Sequence, residues 1–551
     1  MTELHTRHSR ILGKRTTTSL FLSILLLLDI NTYCRAFLSR FLLSSSSLAC
    51  STSPNAWQQH YNTKNNNDDG FDENPDLVGV KIEGFPVPPI PVREQDEALQ
   101  AAMRRVPITS LHEPLKARDL TSTNQPLRVL IAGGGLGGLA LASTLIRQQP
   151  GIDVHVLEQA VQYKPFGGPI QIQSNALWAL EQINPVLYSA VAEVGVQTGD
   201  RLSGIKDGKR WQDGWLVKFD AATPAIKKGL PLTLAINRVV LQDIFLKYGV
   251  PEERVHTCSR VVGYEDYGEC NSNDNNRNNQ QQHGVAVLLE DGTKVYGDVL
   301  VGADGIWSRV RHQMYNLPNH ETGPKYATKH ARYSGYTCFT GTCRHTPDDI
   351  DEVAYKVFLG QEQYFGCTDC GYGWQHWWAF LPDPPEASSV DGDDKEPMLE
   401  RLQREFKEWS PEIHDLFRAT DANIVKKRPL FDRPPLTNGW TSSYVALLGD
   451  AVHPTLPNLG QGGAMATEDA YALGEELRGI RHTNEIPSRL KSYEKRRFVR
   501  ASIAQFLSRN GSDLLVDWET MRNTPIVGPI AMWCVNKFQP ISMNYLYSAD
   551  I

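Results

Sequence analysis

Residues Leu127–Ile146 read LRVLIAGGGLGGLALASTLI. Val129 to Ala132 are an apolar run of strand length, Gly133 to Gly138 follow as G-G-G-L-G-G, and Leu139 to Ile146 carry a helical pattern. In such a junction Gly133 permits the tight turn and Gly135 lets backbone amides approach a pyrophosphate. Gly138 lets the helix pack on the strand. The helix N-terminus then faces phosphate charge. A second strand-like run, DVHVLE, ends in Glu158, twenty positions after Gly138, where an acid accepts hydrogen bonds from an adenosine ribose. A glycine turn without a ligand is the competing reading; strand, helix and acid together weigh against it.

Around this stretch the chain has 551 residues, 41% of them apolar, with a mean hydropathy of −0.37. That suits a soluble globular protein with room for a sizeable core. A net charge of −7 and a pI near 6.1 give no basic footprint for nucleic acid. Nine cysteines are scattered without the spacing of a disulfide framework. Alternating helical and strand periods indicate α/β layers with an inserted antiparallel sheet. The tract Asn271 to Gly284, NSNDNNRNNQQQHG, falls between two strand-like runs as a long surface hairpin loop, and DGDDKEP from Asp391 marks another loop.

Two further junctions carry chemistry. YGDVLVGADGIWSRVR, Tyr296 to Arg311, sets Asp304 and Gly305 at the carboxyl end of an apolar strand, where open α/β sheets hold ligands. An ordinary Asp-Gly turn explains the same residues, and both readings stand. VALLGDAVHPTLPNLGQGGAMATEDA, Val445 to Ala470, is a second strand–glycine–helix junction, with Gly449-Asp450 at its strand end. Its Pro and Gly residues let backbone approach a flat ligand. His453 reads as a loop histidine or a ligand contact before it reads as a proton carrier. No G-x-S-x-G elbow is present for a hydrolase.

These three motifs, in this order, resemble the flavoprotein monooxygenases related to para-hydroxybenzoate hydroxylase. GPIQIQSNALWALE (Gly168 to Glu181), GDRLSGIKDG (Gly199 to Gly208), YSGYTCFTG (Tyr333 to Gly341) and FLGQEQYF (Phe358 to Phe365) resemble the zeaxanthin epoxidase branch in particular. The resemblance runs from about Leu127 to the C-terminus. It implies a Rossmann-like FAD-binding domain over 126–320 and 440–510, an antiparallel substrate sheet inserted at 321–439, and C-terminal helices with an apolar tail over 511–551. Gly133, Gly135 and Gly138 would hold the FAD pyrophosphate and Glu158 the ribose. Arg238 would stand near the flavin phosphates, a surface arginine at a helix start being the alternative. Gly449 and Asp450 would meet the ribityl chain. Pro457, Gly460, Gly462 and Gly463 would line the isoalloxazine, and Asp304 would serve both FAD and NAD(P)H.

The implied chemistry belongs to the flavin. NAD(P)H or a plastid ferredoxin system supplies electrons, and one oxygen of O2 passes to the ring double bond of a xanthophyll. Zeaxanthin going to antheraxanthin and violaxanthin, or diatoxanthin to diadinoxanthin, are the expected conversions. The stretch YGWQHWWAFLP alternates as a strand, with Trp374, His376, Trp378 and Phe380 on one face. Tyr336, Trp374 and Trp378 are the candidate substrate residues, sheet core being the alternative for each. A flavin hydroxylase of a small aromatic, or a flavin- or pigment-binding protein without turnover, are the rival functions.

Three features concern setting and regulation. Cys367 and Cys370 form a lone C-x-x-C in an expected hairpin turn; without a partner pair no metal is expected. Either a redox pair or two unrelated loop thiols fits the spacing. Arg7, Arg10, Lys14 and Arg15 precede LFLSILLLL, and CRAFLSRFLLSSSSLAC then lacks acids, so residues 1–50 resemble the two-part plastid leader of algae with secondary plastids. A secreted protein with a propeptide is the other reading. Residues 51–125 are a polar linker. The basic run YEKRRFVRASIAQFLSRN, Tyr493 to Asn510, reads as a solvated helix face or a membrane contact, and the tail Pro525 to Tyr547 as a peripheral thylakoid seat or as packing. Plant epoxidases of the branch add a forkhead-associated domain; with the sequence ending at Ile551, none is expected.

Overall fold

In a computed structural model, residues 108–121, 125–149, 151–163, 168–269, 283–317, 331–385, 397–516 and 545–547 are described. The leader, most of the linker, the Asn-rich tract, the loop at Asp391 and most of the tail lie outside them.

The glycine loop sits where the sequence puts it, between β1 (Arg128–Ala132) and α1 (Leu136–Gln148), with β2 (Asp153–Leu157) completing the unit. The chain continues through β3 (Pro169–Ile172), α2 (Ser174–Ile183), α3 (Pro185–Val194), β4 (Val196–Gln197), β5 (Leu202–Asp207) and β6 (Trp215–Phe219). Next come β7 (Leu234–Asn237), α4 (Arg238–Tyr248), β8 (Val255–His256), β9 (Val261–Asp266), β10 (Val285–Leu289) and β11 (Lys294–Gly297). After β12 (Val299–Gly302) and α5 (Arg309–Met314) stand β13 (Arg332–Arg344), β14 (Val353–Leu359), β15 (Tyr364–Asp369) and β16 (Trp374–Leu381). The last elements are α6 (Met398–Glu405), α7 (Pro411–Arg418), β17 (Lys426–Asp432), β18 (Val445–Leu447), α8 (Gln461–Leu477) and α9 (Ile486–Val516).

Five parallel strands run in the order β18-β12-β1-β2-β8. Their near-continuous apolar sequences follow from burial on both faces: every residue of β12 and β18 and four of five in β1 are buried. β18 pairs with β12 through Leu300↔Val445, so the two junctions of the sequence lie at neighbouring strand ends. The strands flanking the Asn-rich tract, β9 and β10, pair antiparallel, as a hairpin requires.

A second sheet runs β17-β13-β16-β15-β14-β5-β6, antiparallel except for β14 with β5. Its last two strands come from Leu202–Phe219, a stretch expected within the FAD-binding part at 126–320; the seven-stranded sheet is therefore drawn from two separate chain segments. Period-two alternation divides its residues. Phe339, Phe358, Phe365 and Trp377 pack on Phe406, Trp409 and Phe417 from α6, α7 and their connection. Truncating one such ring costs about 3–5 kcal/mol. Directly paired residues share a face, so Cys338, Thr340, Tyr364, Gly366, His376, Trp378 and Phe380 stand together on the other side, as the alternation predicts for β16.

Two expectations need correction. Cys367 is inside β15 rather than in a turn, and Cys370 follows the strand directly; both are buried free thiols. Burial raises the Cys367 thiol to about 12, against the pull of Lys356, and burial also raises Cys370 well above its usual value. The basic face of α9 is only partly solvated: Lys491, Lys495 and Arg496 are exposed, whereas Arg497 and Arg500 point inward to acids of α8. At the end of the chain, Leu546 packs against Met465 and Ala504 while Arg500 donates to the Tyr545 and Leu546 carbonyls.

Candidate functional site

The glycine loop has the geometry its sequence promised. Gly133 adopts φ 104°, and a Cβ there would stand 2.5 Å from the Ala303 carbonyl oxygen. A Cβ on Gly138 would run into the Gly133 carbonyl, so that glycine serves the close approach of α1 to its own turn. Gly135 is different: a Cβ there would meet nothing within 4 Å. Close protein packing does not explain this glycine, whereas a ligand against the helix N-terminus does. Glu158 lies beside the loop and also closes it, since Oε2 accepts from the Gly134 amide at 2.7 Å and Oε1 from the Ala160 amide at 2.8 Å.

Asp304, at the end of β12, combines both of its readings. Oδ2 caps α5, accepting from the Arg309 and Val310 amides at 2.7 and 3.3 Å. Oδ1 is buried and has no hydrogen-bond partner among the described residues. Burial pushes this carboxyl up from its usual range, and Ser308 and the helix amides pull it partly back.

The second junction makes the floor. Gly449 and Gly460 both take φ 62°, the left-handed region that favours glycine, and Gly460 leads directly into α8. Gly462 and Gly463 therefore sit in the first turn of a 17-residue helix, whose free amides point out of its N-terminus. Pro457 opens the short turn that ends at Gly460. Asp450 is solvent-accessible yet walled in by protein, as expected for a cleft residue. Burial raises its pKa, opposed by His453 and by Arg238, the first residue of α4. Arg238 is likewise accessible but surrounded. Burial lowers its pKa, Arg428 adds to that, and Asp450 opposes it. Neither side chain has a direct hydrogen bond to another described residue, so an acid and a guanidinium face one cleft with their polar atoms uncommitted.

His453 does not share this cleft role. It is 1% exposed, and its Nε2 lies 2.5 Å from Asp469 Oδ2. The same oxygen accepts from the Gly449 amide at 3.0 Å, while Asp469 Oδ1 accepts from Arg497 Nε at 2.8 Å. Glu468 next door takes Arg500 Nε at 2.7 Å and Asn175 Nδ2 at 2.7 Å. Gln173 donates to the Leu459 carbonyl at 2.7 Å and accepts from Gln461. A buried network thus holds the Pro/Gly loop from below. None of Gln173, Asn175, Glu468, Asp469, Arg497 and Arg500 is predicted as a site residue. Their available signal is the pairing of a Glu-Asp step inside an apolar helix with arginines three residues apart on the next one.

The three substrate candidates do not converge. Trp378 lies mid-sheet, with ring centroids 5.5 Å from Tyr355 and 5.4 Å from His376, and Tyr364 stacks on Phe380 at 4.0 Å nearby. Trp374 begins β16, four residues away, and Tyr336 lies beyond the pairing of Thr337 with Leu381 at its far end. At about 3.3 Å per residue, Tyr336 and Trp374 are separated by roughly 25 Å along the sheet. One long ligand can span that distance; a single small ring cannot. Among the described residues no cluster of three or more His, Cys, Asp and Glu could hold a metal.

The open side of Gly135, the uncommitted Asp450 and Arg238, and the unpartnered Asp304 oxygen match a cofactor with a pyrophosphate, a polyol chain and a flat ring. Together with the parallel sheet and the antiparallel sheet beside it in sequence, they fit the class of FAD-dependent flavoproteins. Residues 268–506 match the family model for the FAD binding domain. The chloroplastic zeaxanthin epoxidase of Oncidium hybrid cultivar is 40% identical over 405 residues, covering 71% of this chain and 56% of that protein. That of Arabidopsis thaliana is 39% identical over 386 residues, covering 68% and 53%. The chain thus spans a little over half the length of these relatives. Among solved structures, Klebsiella pneumoniae HpxO complexed with FAD and uric acid shares the fold with a TM-score of 0.62 at 23% identity, over 77% of this chain and 96% of that one. A salicylate hydroxylase substrate complex gives a TM-score of 0.57 at 20% identity, over 78% and 99%. The chain belongs to the FAD-binding monooxygenase family.

Proposed function

We propose that the chain is an FAD- and NAD(P)H-dependent monooxygenase that inserts one oxygen of O2 into a ring double bond of a xanthophyll. The observation that carries this reading is the strip of aromatic side chains on the second face of the seven-stranded sheet, long enough for a polyene. The relatives named zeaxanthin epoxidase support the same substrate class.

Bound FAD supplies two-electron redox chemistry and the activation of O2. The chain's own residues do the rest. Gly133 to Gly138 and the start of α1 receive the pyrophosphate, and Glu158 keeps that loop closed with lone pairs to spare for a ribose. Asp450 and Arg238 bind polar groups between pyrophosphate and ring. Pro457 to Gly463 form the bed of the flat ring, with helix amides aimed at it. Tyr355, Tyr364, Trp378 and Phe380 exclude water from the reacting centre, where it would divert reduced oxygen to peroxide. No proton-transfer pair is required of the protein, which accords with His453 being committed to Asp469.

A plastid setting is supported by the relatives' chloroplastic names and by the leader composition. Electrons then come from NADPH or a ferredoxin system, and the enzyme sits peripherally at a thylakoid surface; among the described residues no helix is long and apolar enough to cross a membrane. Flotation with liposomes, comparing the full chain with one ending near Pro525, tests the contact, and equal flotation rejects the tail as its seat. The deciding experiment for the function is pigment analysis after incubating purified holoprotein with reductant and a panel of xanthophylls, with soluble phenols in parallel. Epoxidised carotenoid supports the reading; phenol turnover alone replaces it with a small-aromatic hydroxylase.

A further inference from the structure

His376 stands on the aromatic face, between Trp378 and Gly168. Its ring centroid is 5.4 Å from that of Trp378, and a Cβ added to Gly168 would lie 3.0 Å from its Nε2. The neighbouring Pro169 pairs with Asn237, the residue before Arg238, so His376 stands next to the cofactor cleft. Its Nε2 is 2.7 Å from Thr340 Oγ1. That hydroxyl has a single proton, which it donates to the Trp377 carbonyl at 2.8 Å. Thr340 must then accept from His376, which places the imidazole proton on Nε2 and a lone pair on Nδ1. Burial favours the neutral ring, pulling its pKa down to about 4. Among the described residues Nδ1 has no hydrogen-bond partner. A neutral acceptor is thereby fixed in orientation on a largely aromatic wall, with Thr342 and Thr368 as its cross-strand neighbours.

We infer that His376 Nδ1 accepts a hydrogen bond from a hydroxyl group of an otherwise apolar substrate, and that this contact selects hydroxylated rings over hydrocarbon ones. An acceptor of fixed orientation discriminates, because a ligand without the donor leaves it covered and unpaired. The positioning depends on Thr340, since without its oxygen the ring is free to rotate or change tautomer. This inference rests on the proposed substrate class and adds the group by which that substrate is recognised.

The test uses the full-length, FAD-loaded protein without reductant, so that binding is read apart from turnover. Quenching of tryptophan fluorescence is titrated with zeaxanthin, a C40 diol, and with β-carotene, the hydrocarbon carrying the same rings. The expected result is a preference for the diol of roughly tenfold or more. In His376→Phe and in Thr340→Val that preference falls to near unity, with β-carotene affinity and flavin content unchanged. His376→Gln, which keeps a side-chain acceptor, recovers part of it. Equal wild-type affinity for the two carotenoids overturns the inference while leaving the substrate class standing. A preference that survives both substitutions, or that disappears only together with the flavin, also overturns it. Binding of neither carotenoid by wild type rejects the substrate class and the inference together.

Discussion

Arg497 Nε and Asp469 Oδ1 meet at 2.8 Å with neither side chain exposed, joining α9 to the helix that starts after the Pro/Gly loop. The remaining oxygen of Asp469 holds His453 and the Gly449 amide, so one carboxylate ties two helices and the loop together. Removing one partner of a buried pair leaves an uncompensated charge, at about 3–5 kcal/mol. Arg497→Met is therefore expected to lower the thermal midpoint by several degrees and to yield flavin-depleted protein. Calorimetry and the 450 nm flavin absorbance of the purified variant check both.

Asp450→Ala should separate binding from stability. Asp450 makes no hydrogen bond to another described residue and is accessible though walled in by protein, so its loss leaves the apoprotein melt unchanged or slightly raised. If Asp450 holds the cofactor as proposed, FAD is expected to bind roughly 10–100-fold more weakly. His453→Ala should reverse the pattern, with a lower apoprotein melt as its main effect. Flavin fluorescence titration and apoprotein melts, done on both variants, distinguish the two roles.

The glycines of the first loop should divide in the same way. Gly135→Val places its side chain in open space, and the expected outcome is a folded protein by circular dichroism that retains little flavin. Gly138→Ala collides with the Gly133 carbonyl and should impair folding itself. A Gly135→Val variant that keeps full flavin affinity would remove the pyrophosphate from that position.

Mild acid should destabilise the protein through two histidines. Burial holds His376 near 4, and burial with the neighbouring His155 and Arg254 does the same for His256. The unfolded chain takes up these protons near 6.5, whereas the folded chain resists until about 4. Stability is therefore full above 6.5, falls between 6.5 and 4, and levels off below. The loss is at most about 3 kcal/mol for His376 and smaller for the more exposed His256. Denaturant melts at pH 7 and pH 5 should show a smaller difference in His376→Gln than in wild type.

The C-x-x-C pair should be silent. Both thiols are buried and held protonated, the opposite of the low-pKa, exposed setting that reactive cysteines need. Activity measured across a dithiol redox series is expected to give superimposable curves for wild type and Cys370→Ser; a shifted midpoint would restore a regulatory role.

What was legible in the sequence was local. The turn at Gly133, the cleft acid Asp450 and the faces of β16 follow from φ, spacing and period two, which neighbouring residues determine. What escaped was partner choice over distance. Nothing within Leu202–Phe219 says that β5 will run parallel to β14, some 150 residues on. Arg497 and Arg500 read as solvated because charge favours water, and only the acids on α8 reverse that. Asp469 was missed for the same reason: an acid on an apolar helix is costly until a cation on another helix is known. Cys367 was misplaced because its strand was taken for the turn that follows it.

The pairing of β18 with β12, and of α9's arginines with α8, has a consequence for how the molecule is made. The three central strands of the parallel sheet are complete by Gly302, yet the proposed ring bed and the buried ion pairs beneath it arrive between Gly449 and Arg500. A nascent chain leaving the ribosome thus carries a half-built cofactor cradle with one uncapped sheet edge for the synthesis of about 150 further residues. Capture of FAD becomes a late event, coupled to the last helices, and the interval before it is when unpaired β12 is most open to aggregation.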